Sequence, residues 1–527
     1  VTVPGHSPLL ADREVGDSVV VARNLSTRYL AIATEAALGV LILPFNVSHL
    51  GTAAYGLWVL AASVTAYFSV VDMGYSGALV KFVAQYRTRG DVRALNEILS
   101  TLFFVFVVAA LVMYAAAGVL AVYVNDVFHL APDQTRTARI VLLIVTMNVA
   151  ASTAFSVFGG VINGFQRYDL NNLVGTVSSG ATAVVNVLVL LAGRGLLELV
   201  LAMTAVRVLT LWVYRANAYR VFPGLRISAA LFRRERLREV TGFSIHMAVI
   251  DWANKLNYSV DALVIGAFLN TSAVALWAIA QRLAELSQRI ANQLNDILFP
   301  AVVENDTAAR LDRLQRIFVE GTKLSLATVV PLAGTMILFA RPLVHAWVGP
   351  DFDSSVPILQ ILSAIVIVRV GNATGMTLLK GAGSHRVVSA TNIATAVCNV
   401  GLSIAMVRPL GLPGVALGTL VPVVLGSVLL LFPLACRRVD LTVGRAIARG
   451  VWPAAWPGAV MCLYVAITRS FVPPSLLAVG TECAISGLIY AGTFVLFSLK
   501  PVERHFYFDK VLEMLHFVRL RPAEGSL

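Results

Sequence analysis

Between residues 280 and 300 the chain reads AQRLAELSQRIANQLNDILFP, an apolar frame that carries Arg282, Glu285, Arg289 and Asp296. At roughly 3.6 residues per turn these four share one arc with Gln281, Gln288, Asn292 and Gln293, and Leu286, Ile290, Leu294, Ile297 and Leu298 take the other side. A second stretch, IDWANKLNYSVD, repeats the design: Asp251, Asn254, Lys255, Tyr258 and Asp261 share an arc opposite Ala253, Leu256 and Val260. Guanidinium groups bind phosphate oxygens through paired charge-assisted hydrogen bonds, and neighbouring amides and phenols suit sugar hydroxyls. Arg282, Arg289, Lys255, Asn254, Tyr258, Gln293 and Arg369 are therefore the candidates for binding an anionic, sugar-like ligand. Acids inside apolar segments are costly and mark ion or proton pathways. Glu35, Asp72, Asp251, Asp261 and Glu285 are the candidates for coupling to an ion. The competing reading is mutual neutralisation, since Asp251 with Lys255 and Glu285 with Arg282 or Arg289 stand at pairing distance along a helix.

The elements that must position these groups are membrane helices. With 58% hydrophobic and 13% charged residues and a mean hydropathy of +0.79, the chain lies outside the range of soluble domains of its length. A bilayer core of about 30 Å needs roughly 20 apolar residues per helix. Fourteen runs meet that need: 26–46, 53–76, 98–122, 138–160, 171–193, 196–216, 241–268, 272–299, 321–341, 355–379, 386–407, 412–435, 446–468 and 475–498. Arginines cluster in alternate loops, most densely from Arg215 to Arg238, so the positive-inside rule puts both termini in the cytoplasm. The net charge of +12 follows from this topology, with some attraction to anionic lipid headgroups, and calls for no nucleic acid. Residues 1–25 are polar and mixed in charge, unlike a secretory signal, which leaves the first helix as the targeting element. Cys398, Cys436, Cys462 and Cys483 lack metal-ligand spacing and read as packing residues.

Two stretches recur. LGTAAYGLW (residues 50–58) aligns with LNTSAVALW (269–277), and the surroundings of Asn186 align with those of Asn399 at a similar offset. Helices one to six and seven to twelve thus read as two copies of one unit, related by a pseudo-two-fold axis along the membrane normal, with two helices added at the end. The expected fold is an all-α integral membrane protein of about fourteen transmembrane helices, in two six-helix lobes plus a C-terminal pair. Its segments are a cytoplasmic N-terminal stretch 1–25, an N-lobe 26–216, a basic linker 217–240 lying partly helical on the membrane surface, a C-lobe 241–435, the added helices 436–498, and a cytoplasmic tail 499–527.

Several stretches resemble the polysaccharide transport family of flippases, within the multidrug, oligosaccharidyl-lipid and polysaccharide exporter superfamily. They are LGTAAYGLW after a helix ending in LILPF, VDMGYSGALVKFVAQYRTRGDVRALNEILS (71–100), HAWVGPDFDSSVPILQIL (345–362), the Asn399 region, and KPVERHFYFDKVLEML (500–515). The resemblance covers roughly residues 20 to 515 and implies a flippase for a lipid-linked oligosaccharide, typically on undecaprenyl diphosphate, in the inner membrane. It implies no enzymatic activity and no cofactor beyond a coupling ion, H+ or Na+. The implied partners are the lipid-linked substrate, membrane lipids, and a polysaccharide polymerase or export machinery. The family supplies no binding signature that transfers position by position, so the candidate residues rest on the helical faces alone. A small-molecule exporter and a lipid II flippase of the same superfamily remain alternatives. A glycan polymerase or ligase fits less well, because the outer loops near 123–137 and 342–354 are short and hold no nucleophile or metal constellation.

Overall fold

In hydrocarbon every backbone N–H and C=O must be satisfied within the segment itself, so long apolar runs fold as helices. The computed structural model describes residues 8–68, 75–241, 260–473, 475–501 and 503–504, and among these no strand occurs. The main helices are α1 (Pro8–Phe68), α2 (Tyr75–Arg89), α3 (Val92–Val122), α4 (Pro132–Gly164), α5 (Tyr168–Leu191), α6 (Leu196–Val221), α7 (Thr271–Thr307), α8 (Leu311–Leu338) and α9 (Ser355–Gly381). After them come α10 (His385–Leu410), α11 (Leu412–Arg438), α12 (Val443–Thr468) and α13 (Leu476–Ser498).

Eleven helices among the described residues are long and apolar enough to cross a membrane. Three features separate that number from fourteen. The first two expected spans run together as α1, which changes direction at Gly51 (φ 77°, ψ 164°), a left-handed conformation open to glycine at little cost. The seventh expected span lies largely in 242–259, outside the described residues. The eighth is α7, which has full length but is too polar along its length to qualify.

The contacts divide the chain into two compact units: Val1–Arg282 with Val400–Val415, and Leu283–Asn399 with Ala416–Leu527. In the first unit the core is an aromatic-rich cluster of Tyr75, Leu79, Phe82, Phe106, Phe158 and their neighbours. Here α2 and α4 approach closely: a β-carbon at Gly160 or Gly164 would overlap Leu79 or Val83. The two recurring motifs meet face to face in this unit. Thr52 donates to Ser272 at 3.3 Å, and Gly56 lies so near the Thr271 carbonyl that a β-carbon would overlap it. The copies end their preceding segments differently: the first uses Gly51, and the second uses the Asn270 side chain, which caps the Ala273 N–H at 2.8 Å.

The basic linker is more tightly held than a surface segment. After α6 it makes a single 3-10 turn, Ala229–Leu231, and becomes helical from residue 234. Three buried side chains of α3 bind its backbone: Asn96 donates to the Gly224 carbonyl (2.8 Å) and accepts from Arg226 N–H (2.9 Å), Ser100 joins Arg226 and Ser228, and Thr101 accepts from Arg233 N–H (3.1 Å). In the second unit, Phe318, Leu314, Leu378, Val388 and Ala435 form a smaller core. The last three spans each contain a π-helical turn, at Leu425–Leu431, Ile447–Val451 and Phe494–Ser498, a widening of the helix often found at functional positions.

Candidate functional site

The faces of α7 decide which of its groups can meet a ligand. Along its middle, from Ala280 to Asn295, the buried residues are Ala280, Leu283, Ala284, Ser287, Ala291 and Asn295, a stripe of mostly small side chains at helical spacing that allows close packing. Opposite that stripe lie Arg282, Glu285, Arg289 and Gln293, half-buried or exposed. The packed face therefore differs from the expected apolar one, because Ile290, assigned to it, is 49% exposed and Ala291 takes the contact. Along this stretch small residues fill the interface, and the large aliphatic ones other than Leu283 sit at its margin.

Glu285 and Arg289 form an ion pair at 3.8 Å with side chains 36% and 60% exposed, and the Gln293 amide donates to the Arg289 carbonyl at 3.4 Å. The Arg282 guanidinium reaches back to α1 and occupies the space where a β-carbon at Gly39 would stand. It makes no ion pair with any described residue, and its charge acts on the buried Tyr55. Glu35, one turn before Gly39, is exposed on α1. Asp261 is buried at 6% exposure, with its charge acting on the Tyr67 hydroxyl. Arg369 is half-buried on α9. Asp72, Asp251, Asn254, Lys255 and Tyr258, together with the side chain of Asp296, lie outside the described residues. Arg207 is engaged locally, donating to Ser152 at 3.0 Å.

Beside the charged stripe lies a polar group that the helical arc had not singled out. On the packed face of α7, Asn295 joins α8 and α9 in a closed cycle: Thr374 donates to its carbonyl (2.9 Å), its amide donates to Ser325 (3.4 Å), and Ser325 and Thr374 are 3.4 Å apart. All three are buried, and the cycle fixes the angle at which α7 presents its opposite face. Two further charges inside spans went unnoticed in the sequence. Lys323 on α8 is buried and pairs with Glu503 at 2.8 Å, and Glu482 on α13 acts on the Tyr464 hydroxyl of α12. Glu482 is a lone charge in an apolar run, which was the available signal, whereas Lys323 closes the charged first half of α8 and has no such mark.

The charges between spans are consumed by structure. Buried Glu97 meets Arg93 (3.3 Å), Arg236 (3.4 Å) and Arg233 (3.9 Å), and Tyr86 bridges Arg236 to Glu239 with bonds of 2.8 Å. Between α8 and α9, Asp353 accepts from His345 at 2.6 Å and pairs with Arg341 at 3.3 Å, and these partners hold its carboxyl below the usual range. No group of three metal-binding side chains occurs among the described residues.

Residues 21–306 match the profile of a family described as "Polysaccharide biosynthesis protein", which covers more than half of the chain. The probable flippase AglR of Haloferax volcanii is 20% identical over 78% of this chain and 82% of its own. The putative O-antigen transporter of Shigella flexneri is 19% identical over 74% and 91%. An uncharacterised membrane protein of Bacillus subtilis, EpsK, is 20% identical over 89% and 94%. Among solved structures, the lipid II flippase MurJ in an inward closed conformation superposes with a TM-score of 0.71 at 13% identity, covering 89% of this chain and 98% of MurJ. An inward-facing multidrug MATE transporter gives 0.63 at 13% identity, over 80% and 98%. At these identities the structural likeness establishes the fold.

Proposed function

This chain belongs to the polysaccharide biosynthesis protein family, and from that premise we propose that it is a flippase carrying a lipid-linked oligosaccharide, of the undecaprenyl diphosphate type, across the cytoplasmic membrane by alternating access. It is a multi-pass membrane transporter of the multidrug, oligosaccharidyl-lipid and polysaccharide superfamily, not an enzyme. The observation that carries the finer reading is the stripe on α7. A central Arg or Asp facing lipid costs roughly 2.5–3.5 kcal/mol even on the permissive insertion scale. The stripe turns away from the packed face of α7 and still keeps Glu285 and Arg289 exposed, so it faces water within the membrane.

In this reading Arg282 and Arg289 hold the diphosphate and Gln293 contacts the sugar, with Arg369 and, from the preceding segment, Asn254, Lys255 and Tyr258 contributing to the same headgroup site. The carboxylates Glu35, Asp261 and Glu285, together with Asp72 and Asp251, carry the coupling ion, H+ or Na+. Both termini are cytoplasmic, and polymerase or export machinery takes the delivered substrate on the far side. The relatives named as flippase and O-antigen transporter support the substrate class. The test is the amount and leaflet of lipid-linked oligosaccharide in cells lacking the protein. Accumulation in the cytoplasmic leaflet, reversed by the intact chain, is expected. An unchanged pool would overturn the reading in favour of a small-molecule exporter, and outer-leaflet accumulation would favour a polymerase or ligase.

A further inference from the structure

Where α8 packs against α12 and α13, more hydrogen-bond donors are buried than the described residues satisfy. Lys323 is an ammonium with a side chain only 6% exposed, and an unpaired charge there would be expensive. Its counterion comes from outside the spans: Glu503, five residues beyond the π turn that ends α13, approaches to 2.8 Å. The same carboxylate oxygen also accepts the Lys500 backbone N–H at 3.1 Å. Arg504 then ties the segment to the π turn by donating to the Leu496 carbonyl at 2.6 Å. Two basic residues, Lys323 and Lys500, act on this one carboxylate, and a third, Arg504, follows it in the chain.

Three donor-bearing groups in this region are buried and have no partner among the described residues: the Thr322 hydroxyl beside Lys323, the Ser498 hydroxyl in the π turn, and the Arg504 Nε. Thr322 sits against α12, where its Cβ would stand 3.7 Å from a β-carbon at Gly450. Buried donors are normally satisfied, and leaving one unmet costs about 1–3 kcal/mol. The Glu503 carboxylate bonds Lys323 and the Lys500 N–H and leaves these three donors unmet. A phosphate group, with three oxygens and a charge of about −1.5 to −2, matches an excess of cationic and hydroxyl donors.

We infer that Lys323, Thr322, Ser498 and Arg504 form a site for a phosphate oxyanion, borne by a lipid headgroup or free in solution, and that Glu503 is its built-in occupant. Glu503 yields the ammonium when the phosphate arrives. The site is independent of the α7 stripe and of whatever substrate that stripe carries.

The test uses the full chain in lipid nanodiscs, with phosphatidic acid in a phosphatidylcholine background as the probe and the retained phospholipid counted by native mass spectrometry. Glu503→Gln removes the competing charge, and its retention of phosphatidic acid is expected to rise by about twentyfold, the scale of one charge-assisted hydrogen bond. Lys323→Gln alone would strand Glu503 and endanger folding, so the control is the isosteric double variant Lys323→Gln with Glu503→Gln, whose retention is expected to return to the wild-type level or below. Displacement of the lipid from the Glu503→Gln variant by inorganic phosphate assigns the site to the oxyanion itself, and failure of displacement assigns it to the lipid headgroup. Equal retention by wild type and Glu503→Gln, or undiminished retention by the double variant, overturns the inference.

Discussion

Glu97 and Glu285 are both acids set among arginines, yet they end in opposite situations. The Glu97 side chain is 11% exposed and shared among three arginines, two of them from the strap that follows α6. The Glu285 side chain is 36% exposed, and its partner Arg289 is more exposed still. The first group is spent on fixing chain to chain, because buried charge must be matched from several directions. The second is held by a neighbour on its own helix, a pair worth only about 0.3–0.5 kcal/mol that a ligand can readily displace. Charge in a connecting segment is thus used up by architecture, and the Arg289 charge on the unpacked face of α7 stays open to its surroundings.

The largest effect is expected where the charge on that face is removed. Arg282→Ala combined with Arg289→Ala should abolish export at equal membrane abundance; normal export from such cells would place the two charges on the architectural side of the comparison. Glu97→Ala should act in the opposite manner. It removes the carboxylate shared by Arg93, Arg233 and Arg236, although Arg236 keeps Glu239 at 3.3 Å, and should cost about 3 kcal/mol, at the low end for a broken buried pair because Arg93 and Arg233 are exposed at 81% and 43%. The checking measurement is the yield of monodisperse protein in detergent, with per-molecule transport preserved. Loss of transport at full stability would assign Glu97 a direct role.

A smaller effect tests what aims the α7 stripe. Thr374→Val keeps the volume of the side chain but leaves the Asn295 carbonyl without its 2.9 Å donor, for an expected loss of about 1–2 kcal/mol in stability and a partial loss of transport. An unfolding curve identical to wild type would show that packing alone orients α7. The smallest effect is that of pH on the segment after α13. Burial by itself would raise the Glu503 carboxyl, but the bonds from Lys323 and the Lys500 N–H outweigh it and hold the group below its ordinary value of 4.5. A depressed native pKa stabilises the docked segment fully above about 4.5, and the contribution fades as pH falls below that. The melting temperature should therefore drop more in wild type than in Glu503→Gln on acidification from pH 6 to below 4.5; parallel curves for the two proteins would remove the pair from the stability of the second unit.

Much of this was legible one helix at a time. Apolar run length marked most spans, with α3, α4, α5, α9 and α12 falling within a few residues of their expected positions, because segment length against bilayer thickness is a local property. The recurrence of LGTAAYGLW was visible as well, but that the two copies touch through Thr52 and Ser272 was not. The arc of Arg282, Glu285 and Arg289 followed from spacing. Which arc of α7 would be packed did not, since hydrophobicity ranks Ile290 above Ala291 whereas close helix packing prefers the smaller residue.

By itself, then, the sequence determined that this is a membrane protein of many helices, where most of them run, and which helix bears a charged side. Those features depend on composition and period along a single segment. Tertiary structure alone decided that Asn295 closes a cycle with Ser325 and Thr374, that Glu97 gathers arginines from a strap more than a hundred residues away, and that Lys323 finds its counterion at Glu503. The strength and partner of a buried polar group depend on what surrounds it in space, and the pairings that satisfy these groups join residues far apart in the chain.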